Sequence, residues 1–272
     1  MAHNNGRQRV AIAGLGPIGI KVMQALDAGI EGLTLAAVAV GDPGKPRPEM
    51  ERLVRKPPVL PLEKLEPAAD MVIECAPAAL LRSIVLPFVA AGKIAVVLSA
   101  GALLEHWDLV DVARKSGGQI VVPTGALIGL DAVTAAAEGA VHSVRMITRK
   151  PVKGLVGAPY LVKNNIDIEG LTEARKVFDG TARDGAKGFP ANVNVAAALS
   201  LAGIGPDRTM LEIWADPGLD RNTHRIEVDA DSASFTMSIA NVPSENPKTG
   251  RITALSVIAC LRKMHAPLRV GT

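Results

Sequence analysis

Aromatic side chains are nearly absent from this sequence: phenylalanine, tryptophan and tyrosine make up 3% of 272 residues. Any core must therefore be aliphatic, and 48% of the residues are hydrophobic, enough for a substantial one. Cysteine is scarce too. Cys75 and Cys260 give neither a disulfide framework nor a zinc spacing, and read as buried thiols of a cytoplasmic protein. The five histidines include no H-x-x-x-H pair, so no metal site is expected. No apolar run reaches the ~18 residues of a membrane span. The polar start MAHNNGRQ lacks the apolar core of a signal peptide. A net charge of +3, spread along the chain, offers no basic stripe for nucleic acid. These absences leave a globular chain of one large domain or two modest ones, with a small molecule as its expected partner.

What is present begins at residues 9 to 29, RVAIAGLGPIGIKVMQALDAG. A short apolar run (Val10 to Ala13) precedes Gly14, Gly16 and Gly19 in G-x-G-x-x-G spacing. A helical pattern follows at once, with Ile18, Val22, Met23 and Leu26 on one face. The first glycine suits a tight strand-to-helix turn, the second lets a pyrophosphate approach, and the third lets helix and strand pack closely. Pro17 fits the first helical turn, where its missing N–H costs nothing. Gly14, Gly16, Pro17, Ile18 and Gly19 are therefore candidate contacts to a dinucleotide, NAD or NADP. The other reading, a glycine-rich turn that binds nothing, lacks an account of the strand and helix that flank it. Asp42 lies beyond the next apolar run, Leu33 to Val40, at about the 20-residue interval expected of a ribose-binding acid. G-D-P-G is also a turn signal, and Lys45 and Arg47 stand close enough to receive a 2′-phosphate instead. The balance leans slightly to NAD.

Residues 43 to 61 hold six prolines and predict an irregular connection. Strands are predicted at Met71 to Cys75, Ile94 to Ser99 and Ile120 to Val122. Helices are predicted at Ala78 to Ala91, interrupted near Pro87, and at Leu104 to Lys115. Alternation of strand and helix predicts an α/β fold with an N-terminal Rossmann-type, doubly wound parallel sheet. ECAP (74–77), SAGAL (99–103) and PTGAL (123–127) then fall at the carboxyl edge, where ligands bind. Their small residues, Cys75 and Ala76 among them, would let a flat ring and ribose lie against backbone.

The period changes after residue 140. Val144, Met146 and Thr148 alternate with Arg145, Ile147 and Arg149, and similar alternation recurs at Leu211/Ile213, Ile226/Val228 and Phe235/Met237/Ile239. Strands with one wetter face indicate a second, α+β domain with a mostly antiparallel sheet. Helices are predicted over 170–179 and 191–203. The expected division is a dinucleotide-binding domain over 1–127 and a substrate and dimerisation domain over 128–248, with a helix within 249–272 returning to the first.

Polar residues concentrate in TRKP (148–151), GFPANVNV (188–195), DPGLDRNTHRI (216–226) and NVPSENPKTG (241–250). Asn192 reads as a helix cap or a substrate ligand, whereas Asn194, inside the first turn, is not explained by capping. His224 sits among Asp216, Asp220, Arg221 and Asn222, and an imidazole exchanges protons near neutral pH. The competing reading is a surface histidine on an edge strand. Arg149, Lys150, Arg221 and Lys248 are candidate partners for substrate carboxylates.

Taken in order, GLGPIG, ECAP, SAGAL, PTGALIGLDA, TRKP, FPANVNVAAALSLAG, DPGLDRNTHRIEV and NVPSENPKTG resemble the L-aspartate dehydrogenases over nearly the whole chain. The resemblance implies NAD(P)-dependent oxidation of L-aspartate to iminoaspartate, which hydrolyses to oxaloacetate and ammonia. In some members the imine feeds pyridine nucleotide biosynthesis. It implies that His224 is catalytic, that Ala126 and Asn194 contact the nicotinamide, and that the protein is a homodimer. Departures from the family pattern are Gly250 where NPKTS ends in serine, the less helical RDGAKGFP (183–190), Ile128 where glycine is common, and the one-position displacement of the acid after the second strand. The alternatives are another NAD(P) reductase of a small amino or keto acid, such as dihydrodipicolinate reductase or homoserine dehydrogenase, and a non-catalytic NAD(P)-binding protein. The paired-histidine, lysine-rich signature of dihydrodipicolinate reductase is not found.

Overall fold

A computed structural model describes all residues except 1–5, 43, 46, 191–192, 245–249 and 272. The chain divides into two compact units, Met1–Pro123 with Ala254–Arg269, and Thr124–Thr253 with Val270–Thr272.

In the first unit, β1 (Gln8–Ala13) leads into α1 (Pro17–Ala28), followed by β2 (Leu33–Ala39), β3 (Met71–Glu74), α2 (Leu81–Ala90), β4 (Ile94–Val97), α3 (Asp108–Ser116) and β5 (Gln119–Val121). All five strands are parallel in the order β2-β1-β3-β4-β5. The order reverses between β1 and β3, which makes their carboxyl ends the topological switch point. Val10, Ile12, Val38, Met71, Ile73 and Val96 are buried in one cluster with Val22 and Met23 of α1. Such continuous apolar runs are what a sheet covered on both faces requires. Helix formation departs from the sequence reading in two places. Pro87 is carried inside α2, which starts only after a 3₁₀ turn at Ala78–Leu80. The helix expected over Leu104 to Lys115 starts only at Asp108 (α3), after a separate short turn of helix at Ala100–Leu103, and Gly117 ends α3 in a left-handed conformation.

In the second unit, α4 (Leu130–Ala137) and β6 (Val141–Lys150) are followed by β7 (Arg175–Thr181), α5 (Ala182–Gly188), α6 (Asn194–Ala202), β8 (Thr209–Ala215), β9 (Thr223–Ala230) and β10 (Ser234–Ala240). The sheet order is β10-β9-β6-β8-β7, parallel only between β6 and β8. Val144, Met146, Leu211, Ile213, Ile226 and Val228 are buried. Arg145, Glu212, Trp214, Arg225 and Glu227 occupy the alternate positions, where Arg225 pairs with Glu227 at 2.8 Å and Trp214 donates to Glu212 at 2.9 Å.

The helix expected over 170–179 is instead the edge strand β7. Glu173 to Lys176 are good helix formers, but a register shift between Lys176 and Phe178 breaks the period-two signal and pairing with β8 decides the outcome. Phe178 thereby joins Tyr160 and Phe189, with ring centroids 5.2 to 5.6 Å apart, so three of the chain's few aromatics form one cluster. RDGAKG does form a helix, α5, whose Thr181 cap accepts from the Asp184 N–H. A Cβ at Gly185 would come 2.5 Å from Leu211 Cδ2, so a larger residue there would have to displace that side chain.

α7 (Ile252–His265) places Val257 and Leu261 in the core of the first unit. No helix among the described residues is long and apolar enough to cross a membrane.

Candidate active site

The glycine-rich turn of the first unit is held by close backbone contact. Gly14 has φ +102°, and a Cβ there would lie 2.5 Å from Cys75 O and 2.8 Å from Ala76 N. A Cβ on Gly19 would overlap Gly14 O, so helix and strand approach to a distance only glycine permits. A Cβ on Gly16 would meet nothing within 4 Å: its position faces open space, as a cradle for a pyrophosphate requires. Pro17 opens α1, and Ile18 lies in its first turn. Cys75 and Ala76 form the wall opposite Gly14. Burial pushes the Cys75 thiol far up, which leaves it uncharged.

Asp42 lies beyond the end of β2 on an exposed turn. Its Oδ1 accepts from Gly44 N–H at 2.9 Å. Arg47 donates to Asp42 O at 2.8 Å and to Lys45 O at 2.6 Å. Here the turn geometry is realised, with a guanidinium bracing the loop that carries the carboxylate.

In the second unit, His224 is not on an edge. It sits within β9, between β6 and β10, at 3% exposure. It pairs across the sheet with Thr148 on one side and Ile239 on the other. Thr148 Oγ1 and His224 Nδ1 are 3.1 Å apart. If Nδ1 donates to the threonine, Nε2 keeps its lone pair as the basic atom. Two residues along β6, and so on the same face, Lys150 is also buried, at 3% exposure. Burial, and then the Lys150 charge, push the His224 pKa down to about 3. The imidazole is therefore neutral across the physiological range.

One step further along the sheet, Asn241 N–H donates to Asn222 O at 2.8 Å. The buried Asn241 side chain donates to Ala126 O at 3.0 Å, which ties the PTGAL turn to the strand pair that carries His224. Its Oδ1 has no hydrogen-bond partner among the described residues. Asn222, Asn241, Lys153 and Arg221 line a cleft of ≈ 50 Å³.

These contacts separate the candidate cations. Lys150 shares the His224 face, and Arg221 borders the cleft while pairing with Asp220 at 2.9 Å. Arg149 points to the other face, 5.2 Å over the Trp214 ring and 3.6 Å from Asp216. Asn194 is the first residue of α6 and is exposed. Asn192 and Lys248 lie outside the described residues. No group of three histidine, cysteine, aspartate or glutamate side chains is placed to hold a metal among the described residues.

A family model described as "Aspartate dehydrogenase, C-terminal" matches residues 131–264. The chain is 66% identical to the L-aspartate dehydrogenase of Bradyrhizobium diazoefficiens over 97% of its own length and 94% of the relative's. This chain belongs to the aspartate dehydrogenase family. L-aspartate dehydrogenase 3 of Bordetella bronchiseptica is 58% identical, with 97% of each chain covered. A second model, "Homoserine dehydrogenase, NAD binding domain", matches residues 14–123, so the family's N-terminal unit is an NAD-binding domain. The aspartate dehydrogenase of Thermotoga maritima superposes with a TM-score of 0.72 over 97% of this chain and all of that one. At 22% identity that likeness is one of fold.

Three side chains at these two places were not singled out from the sequence. Thr148 carried only the alternation signal of TRKP. Asn241 opened a polar stretch without standing apart from it. Glu74 was one letter of ECAP, and a carboxylate at the end of a buried strand is the signal that was there to be used.

Proposed function

We propose that this chain is an NAD(P)-dependent L-aspartate dehydrogenase that oxidises L-aspartate to iminoaspartate, with hydrolysis to oxaloacetate and ammonia. The observation that carries the reading is the buried pair of Thr148 and His224 with Lys150 on the same face, in a chain 66% identical to a relative of that name. The residues of the first unit fit a dinucleotide: Gly16 leaves the space a pyrophosphate needs, beside the N-terminus of α1. NAD(P)+, when bound, supplies the acceptor for the hydride that leaves Cα. Gly14, Gly16, Pro17, Ile18, Gly19, Cys75 and Ala76 would hold it, with Asp42 at the adenosine ribose, and Ala126 and Asn194 at the nicotinamide.

The chain's own part in the chemistry is proton transfer and binding. The C=N bond forms only from a neutral amine, and His224 Nε2 takes up that proton or activates water against the imine. A neutral imidazole can accept a proton, but one depressed to about 3 is a weak base. Burial is the larger cause of that depression and the Lys150 charge the smaller, so a substrate carboxylate beside Lys150 relieves only the smaller of the two. Lys150 and Arg221 are the cations the geometry favours for the carboxylates. Arg149 remains a candidate, as do Asn192 and Lys248. The reading includes a preference for NAD over NADP, a cytoplasmic homodimer, and a role in supplying pyridine nucleotide biosynthesis.

A substrate panel tests the assignment. Purified protein is given L-aspartate, L-homoserine, L-alanine and L-glutamate with NAD+ or NADP+, and NAD(P)H absorbance is followed. Turnover confined to L-aspartate is the expected result. Absence of that turnover with either cofactor rejects the substrate, and gel filtration separately tests the dimer.

A further inference from the structure

Glu74 ends β3 with its side chain fully buried. Its Oε2 accepts from Leu98 N–H at 3.1 Å and from Ser99 N–H at 2.9 Å, and its Oε1 accepts from Ser99 Oγ–H at 3.0 Å. Glu74 faces Val97 in the β3/β4 register, so these two N–H groups are the first past the end of the ladder. Without the carboxylate they would be buried donors with no strand to bond to. On its other side, Glu74 is followed by Cys75, whose N–H donates to Ala13 O at 2.8 Å and whose carbonyl lies against Gly14. One continuous path of contacts therefore runs from the phosphate-loop glycine through Cys75 and Glu74 to Ser99. It joins three of the segments at the carboxyl edge of the sheet.

Oε2 accepts from two amide N–H groups, and the hydroxyl of Ser99 meets Oε1. Burial raises the pKa of the carboxyl above the ordinary carboxylate value, and the bonds from Ser99, Leu98 and the Ala76 N–H favour the ionised form against that rise. Its position relative to a dinucleotide follows from the topology. The pyrophosphate belongs at the turn after β1, and the acid-bearing loop after β2 marks the adenosine side. The nicotinamide half would then extend the other way, towards the ends of β3 and β4.

We propose that Glu74 is a positioning residue of the cofactor crevice, and that its buried negative charge favours the oxidised, cationic nicotinamide ring over the neutral reduced one. The inference rests on the dinucleotide reading above. It assigns one carboxylate two effects: fixing the backbone on which the ring lies, and biasing which redox form is held.

The two effects separate in the isostere. In Glu74→Gln the amide oxygen can accept from both N–H groups and the amide NH2 can donate to Ser99 Oγ, so the bonding survives and the charge does not. Dissociation constants for NAD+ and NADH, or NADP+ and NADPH if the parent prefers them, are measured by titration calorimetry on the full chain. The affinity ratio of oxidised to reduced cofactor is expected to fall by about tenfold, the scale of one partly screened charge. Ser99→Ala removes one donor and keeps the charge, which guards against a glutamine variant that fails to fold. It is expected to weaken both forms alike. An unchanged ratio in folded Glu74→Gln overturns the charge effect, and parental affinity for both forms in Ser99→Ala overturns the positioning. A parent that binds neither cofactor overturns this inference together with the reading beneath it.

Discussion

The first unit presents backbone at its ligand edge, whereas the second presents side chains. Around Gly14, Gly16 and Gly19 the site is made of space and N–H groups, and its walls are the main chain of Cys75 and Ala76. Around His224 the site is a row of side chains on one sheet face, with Thr148, Lys150 and Asn241 each supplying one polar group. A backbone site is damaged by adding atoms and a side-chain site by removing them. The two should therefore fail in different currencies, affinity in the first and turnover in the second.

The strongest break lies in the second unit. His224→Asn keeps some hydrogen bonding and cannot shuttle protons, so kcat on L-aspartate should fall by ~10²–10⁴-fold, with NAD(H) affinity unchanged. Near-parental kcat would return the histidine to a purely structural role. Next is the complementary lesion, Gly16→Val. It places a branched side chain in the open space before α1, and cofactor affinity should drop by about tenfold or more, the loss of roughly 1.4 kcal/mol. Circular dichroism should show a parental fold, and parental cofactor binding in that folded variant would remove the fingerprint assignment.

The third effect sharpens the contrast through pH. The folded pKa of His224, about 3, lies below the value near ~6.5 of a free imidazole. As pH falls below ~6.5, the unfolded chain takes up a proton that the folded chain refuses. Stability contributed by the neutral histidine is therefore complete above that pH. It is lost towards pH ~3 at about 1.4 kcal/mol per unit for one site. Urea denaturation between pH 5 and 7 should show this slope in the parent and a shallower one in His224→Asn. Equal slopes would mean that the imidazole titrates normally. The smallest effect belongs to Asp42, whose carboxylate already bonds Gly44 N–H at the exposed turn. Asp42→Ala should raise the NADP-to-NAD preference only by about threefold, because Arg47 holds the loop through its carbonyls rather than through that side chain. No change in the ratio would leave Asp42 as a turn residue.

The first unit could be read in the sequence because its demands are local. Glycines at fixed intervals, an apolar run before them and a helix pattern after them all lie within about 20 residues. The mixed sheet was visible through alternation at β6, β8, β9 and β10 for the same reason. β7 was not: a register shift at Lys176 hides its period, and what makes it a strand is β8, some thirty residues later in the chain. His224 was found as a polar-loop histidine, yet its environment is the reverse. It is buried in a central strand, and that depends on which strands become its neighbours. Glu74 and Asn241 follow the same rule, since their partners at Ser99 and Ala126 are distant in sequence.

The placement of α7 bears on how such a chain comes to be folded at all. Val257 and Leu261 complete a cluster that begins with Val10 and Ile12, so the innermost contacts of the first unit span almost the whole polypeptide. The second unit is drawn from one uninterrupted stretch, Thr124–Thr253, apart from three terminal residues. During synthesis that stretch can collapse while the earlier sheet still lacks its last helix. Contacts of such separation close slowly. The glycine-rich half therefore cannot complete its core until Val257 and Leu261 are available.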